Sequence, residues 1–163
     1  MKKLLSLTLL LIITFSGCSI KSPDEYYNST EPKGEYTARV SINCVTAVNY
    51  KNSKRKNADI LKPCDVSFNK GDTVFNLLKR ACKENKIQLE YEGEGSSVYI
   101  SGIDYLYEFD CGDLSGWEYS VNEKFPNVGC NSYNLKDGDK VKWLYTCDLG
   151  ADIGNKYKGE PND

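Results

Sequence analysis

Asp72-Thr73-Val74-Phe75-Asn76-Leu77-Leu78-Lys79-Arg80-Ala81-Cys82-Lys83-Glu84 decides the fold of this chain. Val74, Leu77, Leu78, Ala81 and Cys82 recur at i, i+3, i+4, i+7 and i+8, which draws one apolar stripe down a helix that packs against a core. The turn Asn69-Lys70-Gly71-Asp72 precedes it, and Asp72 or Thr73 supplies an oxygen to cap its first turn. The helix is expected to end near Glu84 to Lys86.

No second stretch repeats that period, and the segments on either side read as strands. Tyr36 to Val48 alternates, with Ala38, Val40 and Ile42 on one face and Thr37, Arg39 and Ser41 on the other, as a half-buried strand requires. A second short strand is expected at Asp65 to Phe68. Others follow the helix at Gln88 to Tyr91, Ser97 to Ile100, Tyr107 to Asp110, Gly116 to Asn122 and Lys140 to Cys147. Strands, one helix, then more strands is an α+β pattern. The expectation is a β-grasp-like, mostly antiparallel sheet with one packed helix, stapled by disulfides.

The staples come from the cysteines, and these depend on where the protein resides. Lys2 and Lys3 open the chain, an apolar run extends from Leu4 to Phe15, and Phe15-Ser16-Gly17-Cys18 closes it. A dozen apolar residues fall short of the roughly 20 a helix needs to cross a bilayer, and small residues before a cut site mark a secretory signal. Cysteine directly after Ser-Gly resembles a bacterial lipobox, with Phe15 where Leu is usual, so residues 1–17 read as a lipoprotein signal peptide and Cys18 as the lipidated first mature residue. The two chains of a diacylglyceryl group anchor durably where one is marginal. Residues 18–35, polar and holding Pro23 and Pro32, read as a tether. Asn28-Ser29-Thr30 matches a glycosylation sequon and is read as linker. A domain follows over 36–154, then a tail over 155–163. Localisation is expected at the extracellular face of the bacterial cell membrane.

Export implies an oxidising compartment, so Cys44, Cys64, Cys82, Cys111, Cys130 and Cys147 read as disulfides. Six cysteines admit about 15 pairings, and sequence alone does not choose among them. Thiolate zinc sites use close C-x-x-C pairs, and none occurs here. The chain has no histidine, which removes the commonest general base, the commonest metal ligand and the middle member of Ser-His-Asp catalysis. Glu108, Asp110, Asp113 and Glu118 cluster near one turn and would be the carboxylates for glycoside chemistry, but such clusters are usually solvated, and no enzyme is expected. A net charge of -2 argues against a nucleic-acid partner. The basic run Lys51 to Asn57 reads as a solvated turn between strands.

The last two strands hold the most distinctive side chains. A period of two puts Trp117, Tyr119 and Val121 on one face of Gly116 to Asn122, with Glu118, Ser120 and Asn122 on the other. The same count groups Val141, Trp143, Tyr145 and Cys147. If the strands are neighbours, four aromatics form one wall, either a filled core or a platform for a flat ligand or a partner. Twelve tyrosines favour binding, because tyrosine gives broad, rigid, half-polar contact area. In Asp148-Leu149-Gly150-Ala151-Asp152-Ile153-Gly154, Asp148 and Asp152 are the carboxylates a calcium ion would take, although two are few for six to eight oxygen ligands.

These residues also bring a resemblance. Asp72-Thr73-Val74-Phe75, Tyr99-Ile100-Ser101-Gly102-Ile103, Phe109-Asp110-Cys111-Gly112, Ser115-Gly116-Trp117-Glu118-Tyr119-Ser120-Val121-Asn122, Lys136-Asp137-Gly138-Asp139 and Tyr145-Thr146-Cys147-Asp148-Leu149-Gly150, in that order, resemble the bacterial transcobalamin-like C-terminal domain family, a domain of unknown function common in Firmicutes surface lipoproteins. The resemblance runs from about Tyr36 to Gly154. It implies a non-catalytic binding module whose small ligand is a corrinoid such as cobalamin, with Trp117, Tyr119, Tyr133, Trp143 and Tyr145 as contacts. The alternative is a protein or glycan interaction or adhesion module with no small-molecule ligand. The chain departs from the family pattern at Glu118, where an apolar residue is usual, and at Glu123, where Gly usually makes the turn. The resemblance also implies that Cys44, Cys111, Cys130 and Cys147 form the family framework, with Cys111 paired to Cys130, and that Cys64 and Cys82 are a local pair.

Overall fold

A computed structural model describes residues 27–28, 32–51 and 55–155. The leader, Cys18, the sequon's Ser29 and Thr30, Lys54 of the basic run and residues 156–163 lie outside the described residues. The elements run β1 (Tyr36–Asn43), α1 (Val45–Asn49), β2 (Asp59–Phe68), α2 (Val74–Glu84), β3 (Leu89–Glu92), β4 (Tyr99–Ile103), β5 (Leu106–Tyr107), β6 (Gly116–Val121) and β7 (Lys140–Thr146). Short 3-10 turns stand at Gly95–Ser97 and Ala151–Ile153. Among the described residues no helix is long and apolar enough to cross a membrane.

The helix is where its stripe puts it. Val74, Leu77, Leu78, Ala81 and Cys82 are all buried, together with Phe75. Thr73 caps it: its hydroxyl accepts from the Asn76 amide at 3.3 Å, while the Asn76 side chain accepts from the Thr73 amide at 3.0 Å. This is a capping box with Asn in the place usually taken by Glu or Gln. The next two amides of the first turn, Val74 and Phe75, donate to the carbonyls of Tyr133 and Cys130, both at 3.1 Å. The helix start is thereby joined to the loop before β7, which also satisfies groups that a helix cannot satisfy itself.

The chain is α+β, but its strands form two sheets rather than one. Four strands order as β2-β1-β7-β6 and three as β3-β4-β5. Pairing is antiparallel except at the centre, where β1 runs parallel to β7. That parallel pair joins residues about a hundred apart, so no local period announces it. Pro63 sits in β2, the edge strand, where a missing amide is tolerated.

Three strand expectations need correction. The second strand is not short: it begins at Asp59, six residues before the expected Asp65. The first strand stops at Asn43 instead of Val48, because the Asn43 carboxamide accepts from the Val45 amide at 2.9 Å and donates to Asp59 at 2.8 Å, which starts α1. The strand expected at Tyr107 to Asp110 is only the two residues of β5. Asp110 turns it off by accepting from the Tyr107 amide at 2.8 Å, and Phe109 follows at φ 67°.

Two buried clusters result. The larger joins α2 to the inner faces of both sheets and includes Trp143 and Cys130. The smaller gathers Cys44, Ala47, Leu106, Cys111 and Tyr145, with Trp117 and Cys147 against them. Fully burying one large apolar side chain contributes about 1.5–3 kcal/mol, so the larger cluster is the main source of stability. Among the described residues no two sulfurs lie at bonding distance. The Cys111 and Cys130 pairing is not brought together, because Cys111 lies in the smaller cluster and Cys130 in the larger. The neighbour Cys111 does have is Cys147, close enough for a thiol hydrogen bond. Cys64 and Cys82 share the larger cluster without bonding.

Candidate functional site

The strand count along β6 and β7 holds in space. Trp117 stands opposite Tyr145 and Tyr119 opposite Trp143, so the four aromatics share one face. Trp117 and Tyr145 meet edge to face at 5.1 Å between centroids. Tyr119 and Trp143 are tilted at 5.5 Å, and Tyr133 touches Tyr119 edge-on at 6.4 Å. Such pairs add about 0.5–1.5 kcal/mol beyond their buried area.

The wall is half core and half open. Trp143 and Tyr145 are 2% and 1% exposed. Trp117 and Tyr119 are half-buried and border a cleft of about 860 Å³ that Trp143 also lines. Tyr133 and Tyr145 do not line it; their rings contact those of Tyr119 and Trp117. A cleft of roughly 300–1,000 Å³ is the usual size for a small-ligand seat.

The far side is built from residues the sequence reading did not assign to a ligand seat: Val98 just before β4, Tyr99 and Ile100 at its start, and Phe125, Pro126, Asn127, Gly129 and Cys130 before β7. One polar bond ties Trp117 to β5, and a second joins Tyr119 to the loop of the far side. Trp117 Nε1 donates to the Leu106 carbonyl at 2.9 Å, and the Tyr119 hydroxyl donates to the Val128 carbonyl at 2.7 Å. Burial pushes the Tyr119 phenol far up, so it remains a donor at any physiological pH. The Phe125-Pro126 pair, apolar within an otherwise polar turn region, was the one local signal of this wall.

The loop carrying that pair is aimed by the hairpin turn just before it. Asn122 and Glu123 both take positive φ, 51° and 65°, and Val121 and Lys124 exchange backbone bonds at 2.8 and 3.0 Å. This is a two-residue turn of the kind that normally wants glycine. Lys142 Nζ lies 2.7 Å from the Glu123 carboxylate, and Asn122 bridges Asp139 at 2.8 Å and the Lys140 amide at 3.0 Å.

Of the four carboxylates weighed for catalysis, Glu118 alone lines the cleft. Asp110 closes a turn, Glu108 accepts from the Tyr99 hydroxyl at 3.3 Å, and Asp113 is exposed. Glu118 is half-buried, and Asn155 Nδ2 donates to its Oε2 at 2.6 Å. Burial raises its pKa, the Asn155 bond opposes that, and nearby Asp152 adds to the rise. Burial also pushes the Cys130 thiol, another lining group, up to about 11, which leaves it a protonated, weakly nucleophilic side chain.

Asp148 and Asp152 do not form a common cluster. Asp152 accepts from the Thr146 hydroxyl at 2.5 Å and from the Cys147 amide at 2.8 Å, so its carboxylate closes the turn after β7, while Asp148 is exposed. Among the described residues no group of three or more His, Cys, Asp or Glu side chains could hold a metal ion. Among the described residues one buried polar atom stands out: the Trp143 indole nitrogen has no hydrogen-bond partner.

Comparisons with known proteins agree with the resemblance in the sequence. Residues 71–146 match the family described as "Domain of unknown function (DUF4430)". The fold is similar to that of haptocorrin, solved in complex with Cbi, at 17% identity and a TM-score of 0.50 over 74% of this chain. The likeness at that identity is one of fold, and the chain covers 27% of the haptocorrin chain. A protein from Ruminococcus gnavus ATCC 29149 shows 12% identity and a TM-score of 0.44, with 69% of this chain and 97% of that one covered. No curated protein matches the chain. Residues 71–146 are thus similar to a domain of unknown function, and the fold of the chain resembles part of haptocorrin.

Proposed function

We propose that this chain is a cell-surface lipoprotein, anchored through Cys18, that acts as a non-catalytic binding module with the cleft between β4 and β6 as its ligand seat. The observation that carries the proposal is the open half of the aromatic wall. Trp117 and Tyr119 present ring surface to a cleft large enough for a small ligand, while Trp143 and Tyr145 behind them are fixed in the core. Rings held this way before the ligand arrives reduce the ordering cost of binding. Catalysis is disfavoured by the absence of histidine and by a cleft in which Glu118 has no carboxylate facing it as a partner acid or base.

A corrinoid is the first ligand to test. Isothermal titration of the full chain in detergent with cobalamin and with cobinamide should release heat, with a matching change in the corrinoid absorbance. No heat at about 100 μM ligand would place Kd above that value and would end the corrinoid reading.

A second reading, the protein or glycan interaction module, is favoured by one separate feature. Phe109, Leu114 and Leu149 are 60%, 46% and 56% exposed, and backbone bonds bring them together: Leu149 to the Leu114 carbonyl at 2.9 Å and Phe109 to the Ser115 carbonyl at 3.1 Å. Contiguous exposed apolar residues of this kind mark contact surfaces.

A further inference from the structure

Glu118 is the one side chain with a formal charge at neutral pH that lines the cleft, among the described residues; no lysine, arginine or second carboxylate lines it. It is half-buried on β6, and its one hydrogen bond comes from a neutral amide, Asn155. Among the described residues no lysine or arginine is ion-paired with it. A carboxylate withdrawn from water without a cationic partner is normally costly, and here the fold positions it deliberately. Gly150, at φ 91°, lies so near that a Cβ there would meet the two Glu118 carboxylate oxygens at 2.8 and 2.9 Å. The turn that includes Gly150 is itself tied down by Asp152 through Thr146 and Cys147, and the Thr146 hydroxyl accepts from the Gly150 amide at 2.7 Å. The carboxylate is thus seated against a fixed backbone at the cleft.

The same cleft displays two aromatic rings, Trp117 and Tyr119. Ring faces attract cations by about 0.5–2 kcal/mol, more where water is displaced. A carboxylate beside aromatic faces, with no basic side chain among the described residues lining the cleft, is complementary to one class of ligand. We infer that the seat takes a small organic cation, a protonated amine or quaternary ammonium on a flat apolar body, with Glu118 as the residue that selects its charge. This rests on the cleft being the ligand seat and adds the ligand's charge to that reading. It also gives the departure from the family pattern at Glu118 a chemical role.

The test uses two probes of matched shape, 2-phenylethylamine, protonated at neutral pH, and neutral 2-phenylethanol, titrated calorimetrically into the full chain and into Glu118→Gln. The amine should bind wild type at least about tenfold more tightly than the alcohol, and Glu118→Gln, which keeps side-chain size and an acceptor for Asn155, should bring the amine down to the alcohol's affinity. Circular dichroism checks that the variant is folded, and Glu118→Asp, which keeps the charge, should retain a preference for the amine. Equal affinities in wild type, or a preference that survives Glu118→Gln, would overturn the charge assignment while leaving the cleft as a ligand seat. Failure of both probes to bind would overturn the ligand seat itself, and the charge assignment with it.

Discussion

Trp143→Phe isolates what the unpartnered indole N–H contributes. Trp143 is 2% exposed, sits opposite Tyr119 with ring centroids 5.5 Å apart, and its Nε1 finds no acceptor. Phenylalanine is smaller by roughly 40 Å³, which at about 24 cal/mol per Å³ of cavity loses about 1 kcal/mol. The apolar area no longer buried, roughly 40 Å², adds about 1 kcal/mol more. Against this, a buried donor without a partner destabilises by about 1–3 kcal/mol, and phenylalanine removes it. The two sides nearly cancel, so the variant should lie within about 1 kcal/mol of wild type, whereas Trp143→Ala, with the whole ring gone, should lose about 3–5 kcal/mol. Urea unfolding followed by circular dichroism, with slopes compared to confirm an unchanged transition, measures both. A loss beyond about 3 kcal/mol in Trp143→Phe would mean that the N–H is hydrogen-bonded in solution and that the reasoning fails.

Two further predictions concern the cysteines. Burial pushes the Cys82 thiol from 9.0 to about 12; a raised folded-state value means that its contribution is fully present below pH 9 and is lost as pH rises towards 12. Reduced wild type should therefore lose about 2 kcal/mol between pH 9 and pH 10.5 through this group, and a pH dependence identical in Cys82→Ala would refute that assignment. For the second, peptide mapping after treatment with oxidised glutathione should find Cys111 joined to Cys147, its neighbour in the smaller cluster; recovery of Cys111 joined to Cys130 would show that the two clusters exchange partners in solution.

What could be read in advance was what is local. The stripe of α2 follows from spacing alone, because a 3.6-residue period needs nothing beyond the helix itself to be visible. The shared face of Trp117, Tyr119, Trp143 and Tyr145 follows from the period of two once β6 and β7 are neighbours. What escaped depends on distant partners. The parallel union of β1 with β7 determines the sheet order, and the split into two sheets leaves the gap that becomes the cleft. Neither leaves a period in the sequence. Val98 to Ile100 and Phe125 to Cys130 enter the site only because β4 and the loop before β7 are folded against β6. Cysteine pairing is similarly a question of which cluster each thiol joins, and the spacing of Cys111, Cys130 and Cys147 does not contain it.

The two departures from the family pattern turn out to have different physical weight. Glu123 occupies the second position of a turn that glycine would make freely; holding a side chain at φ 65° costs about 1–3 kcal/mol, and the ion pair with Lys142 at 2.7 Å, being exposed, returns at most about 1 kcal/mol of it. The backbone course is kept, so Phe125 and Pro126 still reach the cleft, and the residue affects stability without altering the site. Glu118 does the opposite. It leaves the strand intact, since its alternation with Trp117 and Tyr119 is undisturbed, but it replaces an apolar contact with the cleft's only formal charge among the described residues. A change that keeps the strand and puts a charge into the pocket alters which ligand is accepted, so the ligand of this domain is expected to differ in charge from those of relatives with an apolar residue at that position.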